Sequence, residues 1–158
     1  LDSGTSDRVF GSILTWMQEK QAPVFVVATA NDISSMPPEL LRKGRFDEIF
    51  FLDLPNFEER KEIFNVHLKK RQRLPQDYDL NLLASATEGY VGAEIEQIIV
   101  DAMYLAFNQQ GREFTTADIQ EAIARLVPLS VSQREKIDYL RRWLHEGRAQ
   151  SASGPNED

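Results

Sequence analysis

Cysteine is absent from this chain of 158 residues, and histidine occurs only at positions 67 and 145. Without thiols the protein cannot form a disulfide scaffold, a cysteine-ligated zinc site or a thiol nucleophile. Two isolated histidines argue against a His-rich metal site, so no metal ligands are predicted. Basic residues are the minority, 18 Lys and Arg against 25 Asp and Glu, which argues against broad nucleic-acid binding. The longest apolar run, residues 24–30, is too short to cross a bilayer.

Hydrophobic patterns divide the chain at Pro55 into two kinds of predicted structure. Before Pro55 they predict a helix over 5–20, a buried strand over 24–29, a short helix from Pro37 to about Gly44, and a strand over 48–54. After it they predict amphipathic helices only, over 57–71, 80–87, 92–110, 115–126 and 132–146. The predicted fold class is therefore α/β followed by an all-α region. The polar residues 151–158 are expected to be disordered.

The segment between the two predicted strands carries groups suited to phosphate chemistry. Asn31 follows the first strand, and ligands of open α/β sheets sit at the carboxyl ends of strands. Its amide can orient a water molecule while remaining uncharged. Arg42 and Arg45 extend from one loop, and a guanidinium offers a permanently charged, planar fork to phosphate oxygens. Taken singly, Asn31 is also typical of a turn and each arginine of a solvated surface.

Three short motifs, taken together and in this order, resemble the AAA class of AAA+ ATPases. Residues 29–31, Thr-Ala-Asn, resemble sensor 1. Residues 41–47, Leu-Arg-Lys-Gly-Arg-Phe-Asp, resemble the arginine-finger end of the second region of homology, and residues 89–95, Gly-Tyr-Val-Gly-Ala-Glu-Ile, resemble the lid motif. The resemblance implies the C-terminal part of the αβα sandwich of a P-loop NTPase at 1–56 and a helical lid at 57–129. Residues 130–158 would add a C-terminal helix and a disordered tail.

The resemblance implies catalytic roles for three residues of the first region. Asn31 would hydrogen-bond the γ-phosphate of ATP or the attacking water. Arg42 and Arg45 would act in trans, on nucleotide bound to the neighbouring subunit, where an arginine finger stabilises charge on the transferred phosphoryl group. ATP and Mg²⁺ are the implied cofactors, with the magnesium ligands expected in a missing N-terminal part.

The resemblance also implies a nucleotide-binding face on the lid. His67 would contact the adenosine, and Ile63, four residues earlier on the same helical face, would wall the adenine. Gly92 and Ala93 would let the lid backbone approach the nucleotide closely. The basic run at 69–73 is interpreted instead as a solvated helix end.

Essential parts of an ATPase are missing from the chain. No Gly-x-x-x-x-Gly-Lys-Ser/Thr loop occurs, no strand ending in Asp-Glu precedes Leu1, and the chain opens without methionine. We therefore expect a C-terminal fragment that is inactive alone, from a complete protein that hydrolyses ATP.

Two stretches bear on the branch of the family. Residues 8–20 resemble the membrane-bound AAA metalloproteases, but no His-Glu-x-x-His follows, so proteolysis in cis is not expected. Residues 127–149 resemble instead the stand-alone AAA ATPases encoded in cyanobacterial and algal plastid genomes. That resemblance implies a protein of the cytoplasm, or of the chloroplast stroma if it is plastid-encoded. The last helix is expected to pack on the lid, with Trp143 covering apolar surface.

Two functions remain open at this point. In the first, subunits assemble into a ring, expected to be a hexamer, that couples ATP hydrolysis to remodelling of an unknown protein substrate, without membrane or nucleic acid. In the alternative, the chain belongs to a non-catalytic docking or regulatory module in which the lid and last helix bind a partner and nucleotide is only structural.

Overall fold

The computed structural model describes residues 3–33, 36–42 and 45–152. The chain separates into two units, one ending at Ile49 and one beginning at Phe50. The predicted subdomain boundary at 56/57 stays a prediction. Gly44, where the short helix was expected to end, and residues 153–158 of the expected tail lie outside the described residues.

The first unit contains one long helix and irregular chain. Helix α1 spans Ser3–Glu19, close to the predicted 5–20, and a 3₁₀ turn spans Pro38–Leu41. The predicted strand at 24–29 does not form, and Phe25 and Val27 are 92% and 75% exposed. A parallel strand is stable only beside hydrogen-bonded neighbours, and the described part of the first unit offers none.

The second unit begins with a short strand and continues as helices. Strand β1 is Phe50–Phe51, shorter than the predicted 48–54. The helices that follow are α2 (Phe57–Lys70), α3 (Leu80–Ala86), α4 (Gly92–Phe107) and α5 (Thr116–Arg125). Their order confirms the predicted fold class, an α/β part followed by a helical region.

Local capping fixes where these helices begin. The side chain of Asn56 accepts from the Glu59 amide at 2.9 Å while Glu59 accepts from the Asn56 amide at 2.9 Å, a capping box at the start of α2. At α5 the Asp118 carboxylate accepts from the Thr115 amide at 2.8 Å, as the spacing of these residues predicts. Such caps satisfy amide groups that a helix start leaves unpaired.

The core of the second unit lies between helices α2 to α5. Phe64 and Leu68 of α2 and Ile95, Ile98 and Ile99 of α4 are fully buried. The remaining members of this cluster are Tyr78, Leu83, Tyr90, Ala102, Ala106, Phe114, Ile119, Ala122 and Ile123. The helical periodicity of the sequence therefore identified the inward faces of α4 and α5 correctly.

The single helix predicted at 132–146 is divided. Helix α6 (Leu129–Ser132) is followed by α7 (Arg134–Trp143) and by a π-helical turn over Leu144–Arg148, in which Gly147 has φ +75°. Strand β2, Gln150–Ser151, then pairs in parallel with β1. Ser151, which was expected to begin a disordered tail, is thus part of a strand. Trp143 is buried, with 7% of its surface exposed.

Candidate nucleotide site

A single turn of the first unit holds both candidate finger arginines. Arg42 ends the 3₁₀ turn in an extended conformation, and its carbonyl accepts from the Arg45 amide at 3.4 Å. Leu40 of this turn is buried, with 3% of its surface exposed, whereas the Arg42 side chain is exposed. The backbone hydrogen bond therefore places the two arginines on one turn.

The guanidinium of Arg45 is held by helix α1. With the Gln18 amide assigned so that its oxygen faces the arginine, that oxygen accepts from Nη2 at 2.7 Å and from Nη1 at 2.9 Å. The Nε atom of Arg45 is buried without a hydrogen-bond partner among the described residues. Sequence reasoning missed Gln18, because nothing in the pattern of an amphipathic helix singles out one exposed glutamine.

Asn31, the candidate sensor, is exposed and directly follows the irregular segment 22–30. Its position in the chain matches the prediction, but the strand that was expected to present it is not formed. In the structure Asn31 therefore follows an irregular segment and not the end of a strand.

The four candidate lid residues lie on neighbouring turns of α2 and α4. A Cβ added to Gly92, the first residue of α4, would lie 3.7 Å from Cδ1 of Ile63. His67 is one turn further along α2, half-buried, and Ala93 is exposed beside Gly92. The structure thus places the Ile63 side chain beside the start of α4 at Gly92, with His67 and Ala93 on the same two helices.

A charge cluster next to this face was not predicted. Oε1 of Glu96 lies 3.3 Å from Nδ1 of His67, 3.0 Å from Nη2 of Arg71 and 3.4 Å from Nζ of Lys70. The Nδ1 atom of His67 is buried and makes no hydrogen bond among the described residues, so it lies beside Glu96 without donating to it. The hydrogen bond from Arg71, with the nearby charge of Lys70, lowers the pKa of the Glu96 carboxyl.

In the basic run at 69–73, Lys69 and Lys70 are exposed in the last turn of α2, as the prediction of a solvated helix end requires, whereas the two arginines depart from that prediction. Arg71 is half-buried and bonded to Glu96, and Arg73 donates to Glu113 at 2.7 Å. Both arginines therefore serve as local ion pairs rather than as solvated charge. Glu96 lies four residues after Gly92, so helical spacing from the lid motif was the one signal that could have found it.

Glu94 was quoted in the lid motif, but the sequence did not predict its contacts. One carboxylate oxygen accepts from the Val91 amide at 2.8 Å, which caps α4, and the other accepts from the Leu129 amide at 2.6 Å. Gly89, with φ +80°, packs against Ser130, whose Oγ would lie 2.6 Å from an added Cβ. The lid motif is therefore in direct contact with the segment that follows α5.

Metal ligands do not cluster anywhere in the described ranges: no three His, Asp or Glu side chains are placed there to hold an ion. Among the same residues, no helix is both long and apolar enough to cross a membrane.

Two family models match the chain in succession. The model described as "ATPase family associated with various cellular activities (AAA)" matches residues 2–54, and the AAA+ lid domain matches residues 77–121. The chain belongs to the AAA family of ATPases. Its helical second unit accordingly contains an AAA lid, and α3, α4 and the first part of α5 lie within the matched range.

The curated relatives of this AAA chain include proteins of two kinds. It is 56% identical to the AAA domain-containing protein ycf46 of Pyropia yezoensis and 52% identical to that of Guillardia theta, in both cases over 96% of its own length. It is 41% identical, over 65% of its length, to the proteasome-activating nucleotidase of Saccharolobus solfataricus. The chain spans about a third of the length of the ycf46 proteins, 31% and 30% respectively.

Proposed function

We propose that this chain is the C-terminal part of an ATPase that couples ATP hydrolysis to remodelling of a macromolecular partner. In this proposal Asn31 serves as sensor 1 in cis, and Arg42 and Arg45 serve as fingers in trans. Family membership supports nucleotide chemistry in general. The assignment of these particular residues rests on their match to the motifs and on their placement.

The observation that carries the proposal is the face formed by α2 and α4. Gly92 begins α4 without a side chain, and the space in front of it is bounded by Cδ1 of Ile63 at 3.7 Å from an added Cβ. An apolar wall, an adjacent imidazole and a bare helix start suit a planar base with its sugar. Ile63, His67, Gly92 and Ala93 would bind the adenosine, whereas the phosphates and Mg²⁺ would require residues outside this chain.

The arginine turn supports a role toward a neighbouring subunit. Arg42 is exposed at the edge of its turn, and Gln18 holds two nitrogens of Arg45 in a defined orientation. Preorganised cations of this kind stabilise developing charge without reorganising during the reaction. We propose that Arg42 meets the phosphate directly and that Gln18 sets the orientation from which Arg45 reaches it.

Assembly and location follow from the same proposal. Fingers that act in trans require a neighbour, so we expect a ring, with six subunits as the expected number, acting on a protein substrate. The name of the related proteasome-activating nucleotidases is consistent with an ATPase that serves another protein machine. We expect the complete protein in the cytoplasm, or in the chloroplast stroma where it is plastid-encoded.

The test uses the complete protein with Arg42→Ala and Arg45→Ala substituted separately. Removal of an arginine finger should lower ATP turnover by roughly 10³-fold or more while ATP binding is retained. The matched control is Arg125→Ala, since Arg125 is an exposed arginine of α5 that pairs with Glu121. We expect the control to turn over ATP at the wild-type rate.

The trans assignment needs a mixing experiment. Subunits that cannot bind ATP retain intact fingers, and subunits with substituted fingers retain an intact phosphate site, so the mixture should recover turnover. Unchanged turnover in both finger variants would refute the finger roles. If wild-type protein binds ATP and never hydrolyses it, the docking-module alternative replaces the remodelling ATPase.

A further inference from the structure

The residues after the lid are anchored at both ends within the second unit. We refer to residues 128–152, which lie beyond the matched lid domain, as the C-terminal strap. Its first anchor is at the lid motif, where the Leu129 amide donates to Glu94 at 2.6 Å and Ser130 packs against Gly89. Because Glu94 also caps α4, the strap is bonded to the helix start that carries Gly92.

The second anchor is at the chain that leads into the lid. Arg141 of α7 binds Asp53 bidentately, with Nε 3.0 Å from Oδ2 and Nη2 2.9 Å from Oδ1, across 88 positions of sequence. Beyond α7, β2 pairs with β1, and the Ala152 amide donates to the Phe51 carbonyl at 2.9 Å. Residues 50–53 are therefore held by a side-chain fork and by backbone pairing.

The path between the anchors is largely helical, and backbone hydrogen bonds cross the turn at Gln133 that separates α6 from α7. The Gln133 amide donates to the Leu129 carbonyl at 2.7 Å, and the Gln133 carbonyl accepts from the Ile137 amide at 3.1 Å. Helix α7 then continues to Trp143, which is buried. Hydrogen-bonded helices of this kind offer a contiguous path along which a displacement at one anchor could reach the other.

We propose that the C-terminal strap couples the nucleotide-facing start of α4 to the segment 50–53, and so regulates how far the lid moves when nucleotide binds. The inference rests on the proposed function, because it assigns a regulatory element to that same site. Movement of the Glu94 end relative to Asp53 must strain the strap or release Arg141. The ion pair is suited to release, since the two side chains are 42% and 27% exposed and water can replace either partner.

The experiment measures hydrogen exchange in the complete protein without nucleotide. The variant is Arg141→Ala, and its matched control is Arg142→Ala, which removes the same charge from the next, exposed residue of α7. We expect Arg141→Ala to raise amide exchange at 50–56 and also at 89–96 by roughly two- to fivefold, the factor that a partly exposed ion pair supplies. Arg142→Ala should leave both segments at wild-type rates.

Conservative variants keep the test interpretable if Arg141→Ala disturbs folding. Arg141→Lys retains the charge and should restore part of the protection, while Asp53→Asn should match Arg141→Ala, and the double variant should add nothing further. Addition of ATP should slow exchange at 89–96 more in wild type than in Arg141→Ala.

Two results would refute the proposed coupling through the C-terminal strap. If exchange rises at 50–56 and stays unchanged at 89–96, the anchors are independent. If Arg141→Ala and Arg142→Ala behave alike at both segments, the ion pair carries no coupling. A wild-type protein that does not bind ATP would overturn the proposed function instead, and the nucleotide-free comparison would still decide whether the anchors are coupled.

Discussion

Gly89 and Gly92 lie in one motif, and the structure predicts opposite consequences when each is changed to alanine. Gly92 has an ordinary backbone conformation at the start of α4, and an added Cβ would meet Cδ1 of Ile63 at 3.7 Å, which is normal van der Waals contact. Alanine also restricts the unfolded chain more than glycine does. We therefore expect Gly92→Ala to leave stability unchanged or to raise it by up to about 1 kcal/mol.

Gly89→Ala should be destabilising, chiefly because of the backbone conformation at this position. The residue has φ +80°, where a side chain costs about 1–2 kcal/mol, and the added Cβ would lie 2.6 Å from Oγ of Ser130. We expect a loss of roughly 1–2 kcal/mol in the free energy of unfolding. Ser130→Gly should recover little of that loss, because the Ser130 hydroxyl can rotate away from the added Cβ and the Ser130 Cβ lies at 3.5 Å, an ordinary contact.

The proposed function adds a prediction that stability alone does not make. If the backbone at Gly92 approaches the nucleotide, a methyl group there should weaken ATP binding by roughly fivefold or more, since overpacking a filled contact costs about 1–3 kcal/mol. Gly92→Ala would then combine full stability with reduced affinity. Gly89→Ala would lose stability, and any loss of affinity would follow from unfolding.

Stability and ATP affinity are measured in two separate assays. Trp16 and Trp143 are the only tryptophans, so in a Trp16→Phe background the fluorescence of Trp143 reports urea unfolding of the second unit. ATP affinity is measured on the complete protein by calorimetry. If Gly92→Ala unfolds as early as Gly89→Ala, the local geometry is wrong, and if it binds ATP like wild type, the role of Gly92 is refuted.

Three further outcomes are expected from the core and the titrating groups. Phe64→Ala, at a fully buried site, should lower the free energy of unfolding in urea by about 3–5 kcal/mol, whereas Val66→Ala on the exposed face should cost less than about 1 kcal/mol. The hydrogen bond from Arg112 lowers the pKa of Asp118, so the stability that the ionised carboxylate contributes is lost as pH falls below about 4. The free energy of unfolding of Asp118→Asn should therefore depend less on pH in this acid range. Burial raises the pKa of Tyr78 to about 12, so stability should fall from pH 10 to 12. Burial also raises the pKa of Tyr90, so Tyr78→Phe should reduce that fall in an alkaline unfolding series without abolishing it.

The lid was predictable because its determinants are local. Ile119, Ala122 and Ile123 recur at helical spacing and are all buried in α5. Thr115 and Asp118 are three residues apart, and their bonds form at the helix start where that spacing places them. Periodicity and capping act within one or two turns, so a single sequence contains both signals.

The strand predicted at 24–29 does not form in the structure, because the contacts that stabilise such a strand are not local in sequence. Its apolar, β-branched residues favour a central parallel strand, but such a strand needs partners on both sides. Phe25 and Val27 remain exposed where the prediction buries them. The pattern describes the environment that the segment requires, and the described residues do not contain that environment.

The contacts made by the candidate site residues could not be predicted from the sequence, for a related reason. Ile63, His67 and Gly92 were identified by matching motifs, and their proximity follows from the packing of α2 against α4. Glu96 and Gln18 belong to no motif, and each becomes visible only when a residue distant in sequence, Arg71 or Arg45, is placed beside it. Polar partners of this kind are chosen by tertiary geometry, which local propensity does not encode.

The C-terminal strap combines a feature that is local in sequence with contacts that are not. Its helix was predicted from periodicity, but the bonds that give it a role join Leu129 to Glu94 and Arg141 to Asp53. An extension that only covered apolar surface would need Trp143 and the leucines of α7, and would not require a bidentate arginine. Asp53 also accepts from the Leu54 amide at 2.7 Å, so the carboxylate that receives the arginine also orders the chain next to Pro55. Release of Arg141 would therefore loosen the entry to the lid without opening its core, which is the separation that a regulator of lid movement requires.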